Sequence, residues 1–445
     1  MRLLLPPSSA RSLLQKLITA GLSTADPYQA LLRHIALDRH SLTVGRRTYD
    51  LSHIDRIIAV GAGKASARMA QALETALGTR LDDGLVIVKT GHTLATKRIT
   101  VLEASHPIPD RAGLHATQRL LRLTQRLTPR DLLIVLLSGG ASSLLPAPVA
   151  GVTLADKQRT TRLLLRSGAT INEINIVRKH LSFIKGGGLT ASTRARIVTL
   201  LLSDVIGDDL GSIGSGPTAG DPSTFADAVE VLQRYRSWHT VPAAVRRYLN
   251  QGRKGDALET LKPSSRRLRS VQHHIIGNNR MMLEAVARAA QQEGLHTKFV
   301  SLPITGEARV AATQLTALAK AMTEGRSRLK RPCCLVAGGE TTVTVTGRGK
   351  GGRAQEFAAA AAFEIVGLPN TWVVALGTDG TDGPTDAAGA IVSGSTVAQA
   401  KKLGIHLRSS LNRHNTYPAL KALECHIHTG PTGTNVNDLY LVLLL

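Results

Sequence analysis

From Gly338 to Phe357 the chain reads GGETTVTVTGRGKGGRAQEF. Three cations, Arg348, Lys350 and Arg353, alternate with Gly347, Gly349, Gly351 and Gly352, ahead of a helix predicted to open near Ala354. Glycines let backbone N–H groups crowd around a ligand, and a helix start attracts anions. The pattern suits a bound phosphate or carboxylate. A solvated hairpin with a basic tip would use the same residues without chemistry. Before these glycines, Gly338-Gly339-Glu340 reads as a turn after the apolar run Leu335-Val336-Ala337. Thr342 to Thr346 then alternates like a half-buried strand.

Four other stretches place polar groups after apolar strands. Ile57-Ile58-Ala59-Val60 runs into Gly61-Ala62-Gly63-Lys64-Ala65-Ser66 and then a helix, Ala67 to Leu77. This is not a Walker A loop, because the spacing from the first Gly to Gly63-Lys64 is too short. It also departs from the dinucleotide fingerprint. Ser66 takes the place of the third Gly, Asp82 and Asp83 precede the next strand, and Lys89 rather than an acid ends it. Lys64 therefore reads as a cation at an anion-binding helix start, against the plainer reading of a surface lysine. Asp131 to Leu137 leads into Ser138-Gly139-Gly140-Ala141-Ser142-Ser143, which suits an oxyanion or merely reverses the chain. Ile197 to Leu202 leads into Ser203-Asp204, with Asp208 and Asp209 close behind. Carboxylates there can hold Mg²⁺, accept a proton or simply cap a helix. Trp372 to Leu376 leads into Gly377-Thr378-Asp379-Gly380-Thr381-Asp382-Gly383, a turn for Mg²⁺ or a hydroxyl whose spacing is not that of an EF-hand.

Thr170-Ile-Asn-Glu173 is a capping box. The helix it starts is expected to carry Asn175, Arg178, Lys179, His180 and Lys185 and to stop at Gly186-Gly187-Gly188. Asn175, Arg178 and Lys179 share a face, by default a solvated one.

The elements that must position these groups belong to a chain of 445 residues, enough for two or three domains. A hydrophobic content of 43% supports full cores, and 3% aromatic content leaves the packing to aliphatic residues. The net charge of +23 is scattered, with no basic run interleaved with stacking aromatics, so nucleic-acid binding is disfavoured. Cys333, Cys334 and Cys425 lack metal-ligand spacing, which fits a reducing cytoplasm. Residues 1–20 are apolar and basic without a signal-peptide pattern, and are expected to form an amphipathic helix packing on the first domain. No apolar run is long enough to span a membrane. Arg246 to Arg269 reads as a connection, with the second part opening at His274-Ile275-Ile276.

The chain resembles the class II glycerate kinases, whose C-terminal domain is called MOFRL. The resemblance rests on VGAGKASARMA, SHPIPD, LLSGGASSLLPAP, LADKQ, NEINIVRKHLSFIKGG, LLLSDVIGDDLGSIGSGPT, DPSTFADA, GGETTVTVTGRGKGGRAQEF, GTDGTDGPTDAAGAIV and TGPTGTNVNDLY, which span nearly the whole chain. It implies an α/β protein of two domains. Residues 1–250 would form a Rossmann-like domain with a mostly parallel sheet, and residues 271–445 a smaller α/β MOFRL domain, with the active site in the cleft between them. It also implies ATP- and Mg²⁺-dependent phosphorylation of D-glycerate, on the 2-hydroxyl. The partners would be these small molecules rather than nucleic acid or membrane, and a homodimer is compatible with the family.

By position, Lys64 and Arg353 match the family's catalytic cations. Asp204 is the expected proton acceptor or metal ligand, with Asp208, Asp379 and Asp382 as further metal candidates. Gly61, Gly63, Ser138, Gly139, Gly140, Gly351 and Gly352 are the expected phosphate contacts. Arg178, Ser142 and Glu340 are the expected substrate contacts. Two departures stand out: Ala141 in a loop where the family often has a third Gly, and Asn412-Arg413-His414-Asn415-Thr416 where it often has an acidic turn. An NAD(P)H-dependent hydroxypyruvate reductase is the main rival, and the misplaced acid after Gly63 counts against it.

Overall fold

Apolar runs in this chain become strands buried on both faces, as parallel sheets under helices require. A computed structural model describes residues 3–323 and 330–445. The chain divides into two units, Pro27–Ile276 and Met1–Asp26 with Gly277–Leu445.

The unit Pro27–Ile276 starts with a small antiparallel sheet, β1 (Ile35–Leu37), β2 (Ser41–Val44) and β3 (Arg47–Asp50). Its main sheet comprises β4 (Ile57–Ala62), β5 (Asp83–Lys89), β6 (Ile99–Ala104), β7 (Leu132–Leu137), β8 (Arg196–Leu202) and β9 (Val271–Gly277). The order is β6-β5-β4-β7-β8-β9, and the ladders from β6 to β8 are parallel. Every residue of β4 and β7 is buried. The chain leaves β4 toward β5 on one side and later returns to β7 on the other. The direction of winding thus switches between β4 and β7, where Ala62 pairs with Leu137. Open α/β sheets bind ligands outside the carboxyl ends of strands at such a point.

The other unit holds a mixed sheet of β10 (His296–Phe299), β11 (Ile304–Glu307), β12 (Cys333–Thr342), β13 (Thr371–Gly377), β14 (Gly389–Ser393), β15 (His426–Ile427) and β16 (Asp438–Leu444). The terminal strand β16 lies between β12 and β13 and is antiparallel to both. The alanine-rich helix Arg353–Glu364 is buried along its length, its small side chains allowing close packing.

Several expectations are corrected. Gly338-Gly339-Glu340 is strand, not turn, and the strand ends at Thr342 instead of continuing to Thr346. The reason is the approach of β11, which pairs Ile304 with Gly339; a Cβ there would collide with the Ile304 backbone. The first helix, Arg11–Thr24, packs on Asn279–Gln292 and so belongs with the mixed sheet. Gly21 makes room for this contact, since a Cβ would meet Val286 at 2.7 Å. Arg246 to Arg269 is no linker. It includes most of the helix Ala243–Lys254, and the Leu261 backbone bonds Gly186 and Asp221. His274–Ile276 lies in β9, in the parallel sheet rather than at the start of a second domain. Among the described residues no helix is long and apolar enough to cross a membrane.

Candidate active site

In the parallel-sheet unit the two glycine loops meet at the switch point. The first, Gly61–Ser66, keeps its amides for itself. Gly63 N–H donates to Ile87 (3.1 Å), Lys64 N–H to the Gly139 carbonyl (2.9 Å), Ala65 N–H to Ser138 Oγ (3.0 Å) and Ser66 N–H to Gly63 (3.2 Å). A Cβ at Gly61 would strike the Leu136 carbonyl, and one at Gly63 would strike Ser138 Oγ. These glycines therefore let β4 and its loop lie against β7, and Ser138 serves the helix Ser66–Leu77 rather than a ligand. In the second loop the amides of Gly139 and Gly140 have no hydrogen-bond partner among the described residues, although both carbonyls are bonded.

Lys64 lies beside this second loop. A Cβ at Gly140 would sit 3.6 Å from Lys64 Cγ and 3.0 Å from the His106 ring. Burial pushes the His106 imidazole down to about 4, helped by Lys64, Lys89 and His92. His106 is thus neutral at physiological pH, in a field already positive.

The helix Ile171–His180 has the expected capping box, but ends before Lys185. Its charged face is not solvated: Asn175 and Lys179 are buried and Arg178 is partly so. Lys179 Nζ pairs with Asp221 Oδ1 at 3.4 Å. Burial alone would raise the Asp221 carboxyl, but Lys179 and Ser223 hold it below its usual range. Lys185 donates to the Ser142 carbonyl (2.6 Å) and Oγ (3.1 Å). Ser142 Oγ lies 2.7 Å from Ser215 Oγ, which is 3.3 Å from Asn175 Oδ1. Asp204 follows β8, the strand next to β7, and is partly buried; Asp208 sits in a left-handed turn with φ 55°. Asp209 acts as a cap, accepting from Ser212 Oγ at 2.6 Å.

In the mixed-sheet unit Arg353 opens its helix with each of its three guanidinium nitrogens bonded. Nε and Nη2 grip Asp438 at 2.8 and 2.9 Å, and Nη1 reaches Glu340 at 2.6 Å. Asp438 is wholly buried and also accepts from the Tyr440 hydroxyl at 3.0 Å. Burial pushes its carboxyl up, Arg353 pulls it back, and the two acids hold Arg353 charged. The helix start is likewise occupied. Asp382 receives Ala354 N–H at 3.0 Å and Gln355 N–H at 2.8 Å, so both its oxygens serve the helix. Asp379 accepts from the Thr381 amide and hydroxyl, both at 3.1 Å. Gly351 and Gly352 lie against Thr416 and Asp382, where side chains would collide. The Asn412–Thr416 departure supports the glycine loop: Asn415 accepts from Lys350 N–H at 2.9 Å, and His414 lies 3.1 Å from Glu356.

Among the described residues no three His, Cys, Asp or Glu side chains form a group suited to a metal ion.

Sequence reasoning did not single out Lys157, His106 or Asp438, and it placed Lys185 on a helix. Their alternation with glycines marked the cations of the Arg353 loop, whereas Lys157 has no such local mark.

Residues 13–250 match a family model described as a domain of unknown function, DUF4147, and residues 333–438 match the MOFRL family. A glycerate 2-kinase of Pyrococcus horikoshii is 39% identical over 430 residues, covering 96% of each chain. A D-glycerate 2-kinase of Thermotoga maritima is 39% identical over 404 residues, covering 90% of this chain and 93% of its own. A crystal structure of a glycerate kinase from that organism superposes with a TM-score of 0.87 at 38% identity, over 99% of this chain and 100% of that one. An Agrobacterium vitis protein named, provisionally, as a hydroxypyruvate reductase is 37% identical over 98% of this chain and 95% of its own.

Proposed function

The chain belongs to the glycerate kinase family that carries a MOFRL domain, and from that membership we propose that it transfers the γ-phosphoryl group of ATP to the 2-hydroxyl of D-glycerate. The observation that carries this reading is the pair of amides at Gly139 and Gly140, unpartnered among the described residues, beside Lys64 at the carboxyl ends of two adjacent parallel strands. Phosphoryl transfer asks a protein chiefly to position its substrates and to neutralise the moving charge. The Gly139 and Gly140 amides receive phosphate oxygens, and Lys64 meets the charge on the transferring group. Ser142 and Arg178 hold the acid. Asp204 takes the proton of the 2-hydroxyl as its oxygen bonds phosphorus and the bond from phosphorus to the ADP oxygen breaks. A Mg²⁺ carried by the nucleotide would be held by Asp208 and would supply charge neutralisation at the phosphates; the alternative role of Asp204 is as its second carboxylate, in place of the base. Arg353 is the further candidate cation that the family resemblance supplies, and Asp438 and Glu340 hold its guanidinium in one orientation.

The glycine loop after β4 argues against the nicotinamide reading. A dinucleotide site needs the amides of that loop for a pyrophosphate, and all four are bonded within the fold. The test is a side-by-side assay of the purified protein. ADP release with D-glycerate, ATP and Mg²⁺ supports the kinase. NADH oxidation with hydroxypyruvate, without ADP release in the first mixture, refutes it.

A further inference from the structure

Buried cations need a counter-charge, because taking an ammonium out of water costs several kcal/mol. One group in the parallel-sheet unit lacks it. Lys157, on the helix Leu154–Arg166, is 8% exposed, and its Nζ is shielded from solvent and has no hydrogen-bond partner among the described residues. Lys185 is 3% exposed, and its Nζ bonds only Ser142. Arg178 is close enough to repel both lysines, and it has no ion pair among the described residues. The lysines also repel each other. Lys179, one residue along, shows the contrast, since it has Asp221. The hydroxyl and amide groups next to Lys185, namely Ser142, Ser215 and Asn175, are neutral.

We propose that Lys157, Arg178 and Lys185 form the subsite for the carboxylate of the hydroxy-acid substrate. Arg178 and Ser142 touch the carboxylate, and the two lysines are positioning residues that keep the field behind them positive. This inference rests on the glycerate kinase reading and extends it to residues from three separate segments. Arg178 and Ser142 are the members that keep some exposure, so they are the ones a ligand can reach. A guanidinium fork matches the two oxygens of a carboxylate. Lys185 fixes the Ser142 hydroxyl by donating to it. Burial pushes the Lys157 ammonium down to about 7, so a bound anion would draw the proton back on and strengthen the charge that holds it. A nucleotide phosphate offers the same oxyanion chemistry, and the arms of the test separate the two sources.

The experiment compares the full-length wild type with Lys157→Met. D-glycerate, neutral glycerol and ATP are titrated calorimetrically, and thermal unfolding is followed with and without D-glycerate. Lys157→Met is expected to weaken D-glycerate binding by roughly 10- to 100-fold, as for the loss of a charged partner, with ATP affinity within about twofold of wild type. Its ligand-free Tm should rise, because an uncompensated buried ammonium has been replaced by an apolar chain. In steady state the KM for D-glycerate should rise with kcat largely kept, and Lys157→Arg should recover binding. A lowered Tm with unchanged D-glycerate affinity would make Lys157 structural and overturn the proposal. Lost ATP affinity with D-glycerate binding intact would assign the cations to the nucleotide and also overturn it. If Lys157→Met does not fold, Lys157→Gln is judged by the same D-glycerate and ATP affinities. A wild type that ignores D-glycerate and ATP, yet binds D-lactate through Lys157, would refute the kinase reading while leaving the carboxylate subsite standing.

Discussion

Arg353 and Arg178 are partly buried guanidinium groups in the two units of this molecule, and their surroundings are opposites. Arg353 is gripped by buried Asp438 and by Glu340, so its charge is balanced inside the fold. Arg178 stands with Lys157 and Lys185 and has no carboxylate partner among the described residues. A balanced cation is fixed in place and contributes to stability. An unbalanced cluster weakens the fold and is retained where an anion from solution completes it. The difference is between a guanidinium paired inside the fold and one that has no carboxylate partner among the described residues.

Removing the balanced cation should have the largest effect. Arg353→Ala strips a wholly buried carboxylate of its partner, which should cost about 3–5 kcal/mol in denaturant unfolding. If Arg353 also meets the transferring phosphoryl group, kcat should fall by roughly 10³–10⁵. Arg353→Lys should stay poor on both counts, because a point charge cannot replace the fork. An unchanged unfolding midpoint in Arg353→Ala would break the comparison at its first term.

Lys64 has no described ion pair, and its side chain is partly exposed. Lys64→Ala should therefore leave Tm nearly unchanged while lowering kcat by about 10²–10³, the range seen when one charge-stabilising donor is lost. Rapid-quench or steady-state kinetics checks it, and a change confined to KM would make Lys64 a binding contact.

Asp382 offers a smaller effect, on stability. Asp382→Ala leaves two amides of the helix Arg353–Glu364 uncapped, which should lower stability by about 2 kcal/mol. Thermal unfolding measures this, and D-glycerate affinity should not follow it.

The smallest effect is a slope with pH. The folded Lys157 titrates at about 7 against 10.5 for the free side chain. Between those values the unfolded chain binds the extra proton, so wild-type stability should rise as pH rises from 7 to 10.5. Lys185, whose ammonium is also pushed well down by burial, Arg178 and Lys157, adds to the same slope. Lys157→Met should flatten it. Equal slopes for the two proteins would mean that Lys157 is no more buried in its charged form than a surface lysine.

Much of the fold was legible because its central strands are continuous apolar runs with glycines close behind, as Gly139 and Gly140 follow Leu132–Leu137. The capping box at Thr170 and Glu173 was equally local. The strand through Gly338 and Gly339 was not, because glycines read as a turn until β11 is known to press against them. Glycine spacing exposed Arg353, but its partner Asp438 lies 85 residues away and reads only as the start of an apolar strand. Lys157 looks like an ordinary helical lysine. Its burial depends on how the helix Leu154–Arg166 packs on Ile171–His180, which no local pattern records. The conspicuous glycine loop after β4 misled in the other direction, since its amides serve the sheet's own packing.

The most direct test of the whole account is to incubate the purified chain with ATP, Mg²⁺ and D-glycerate and to identify the product by ³¹P and ¹H NMR. The expected result is ADP together with a phosphorus resonance coupled to the proton on C2 of glycerate. ADP with coupling to the C3 protons would contradict the 2-hydroxyl assignment. No phosphoglycerate at all, from protein that oxidises NADH with hydroxypyruvate, would contradict the kinase itself.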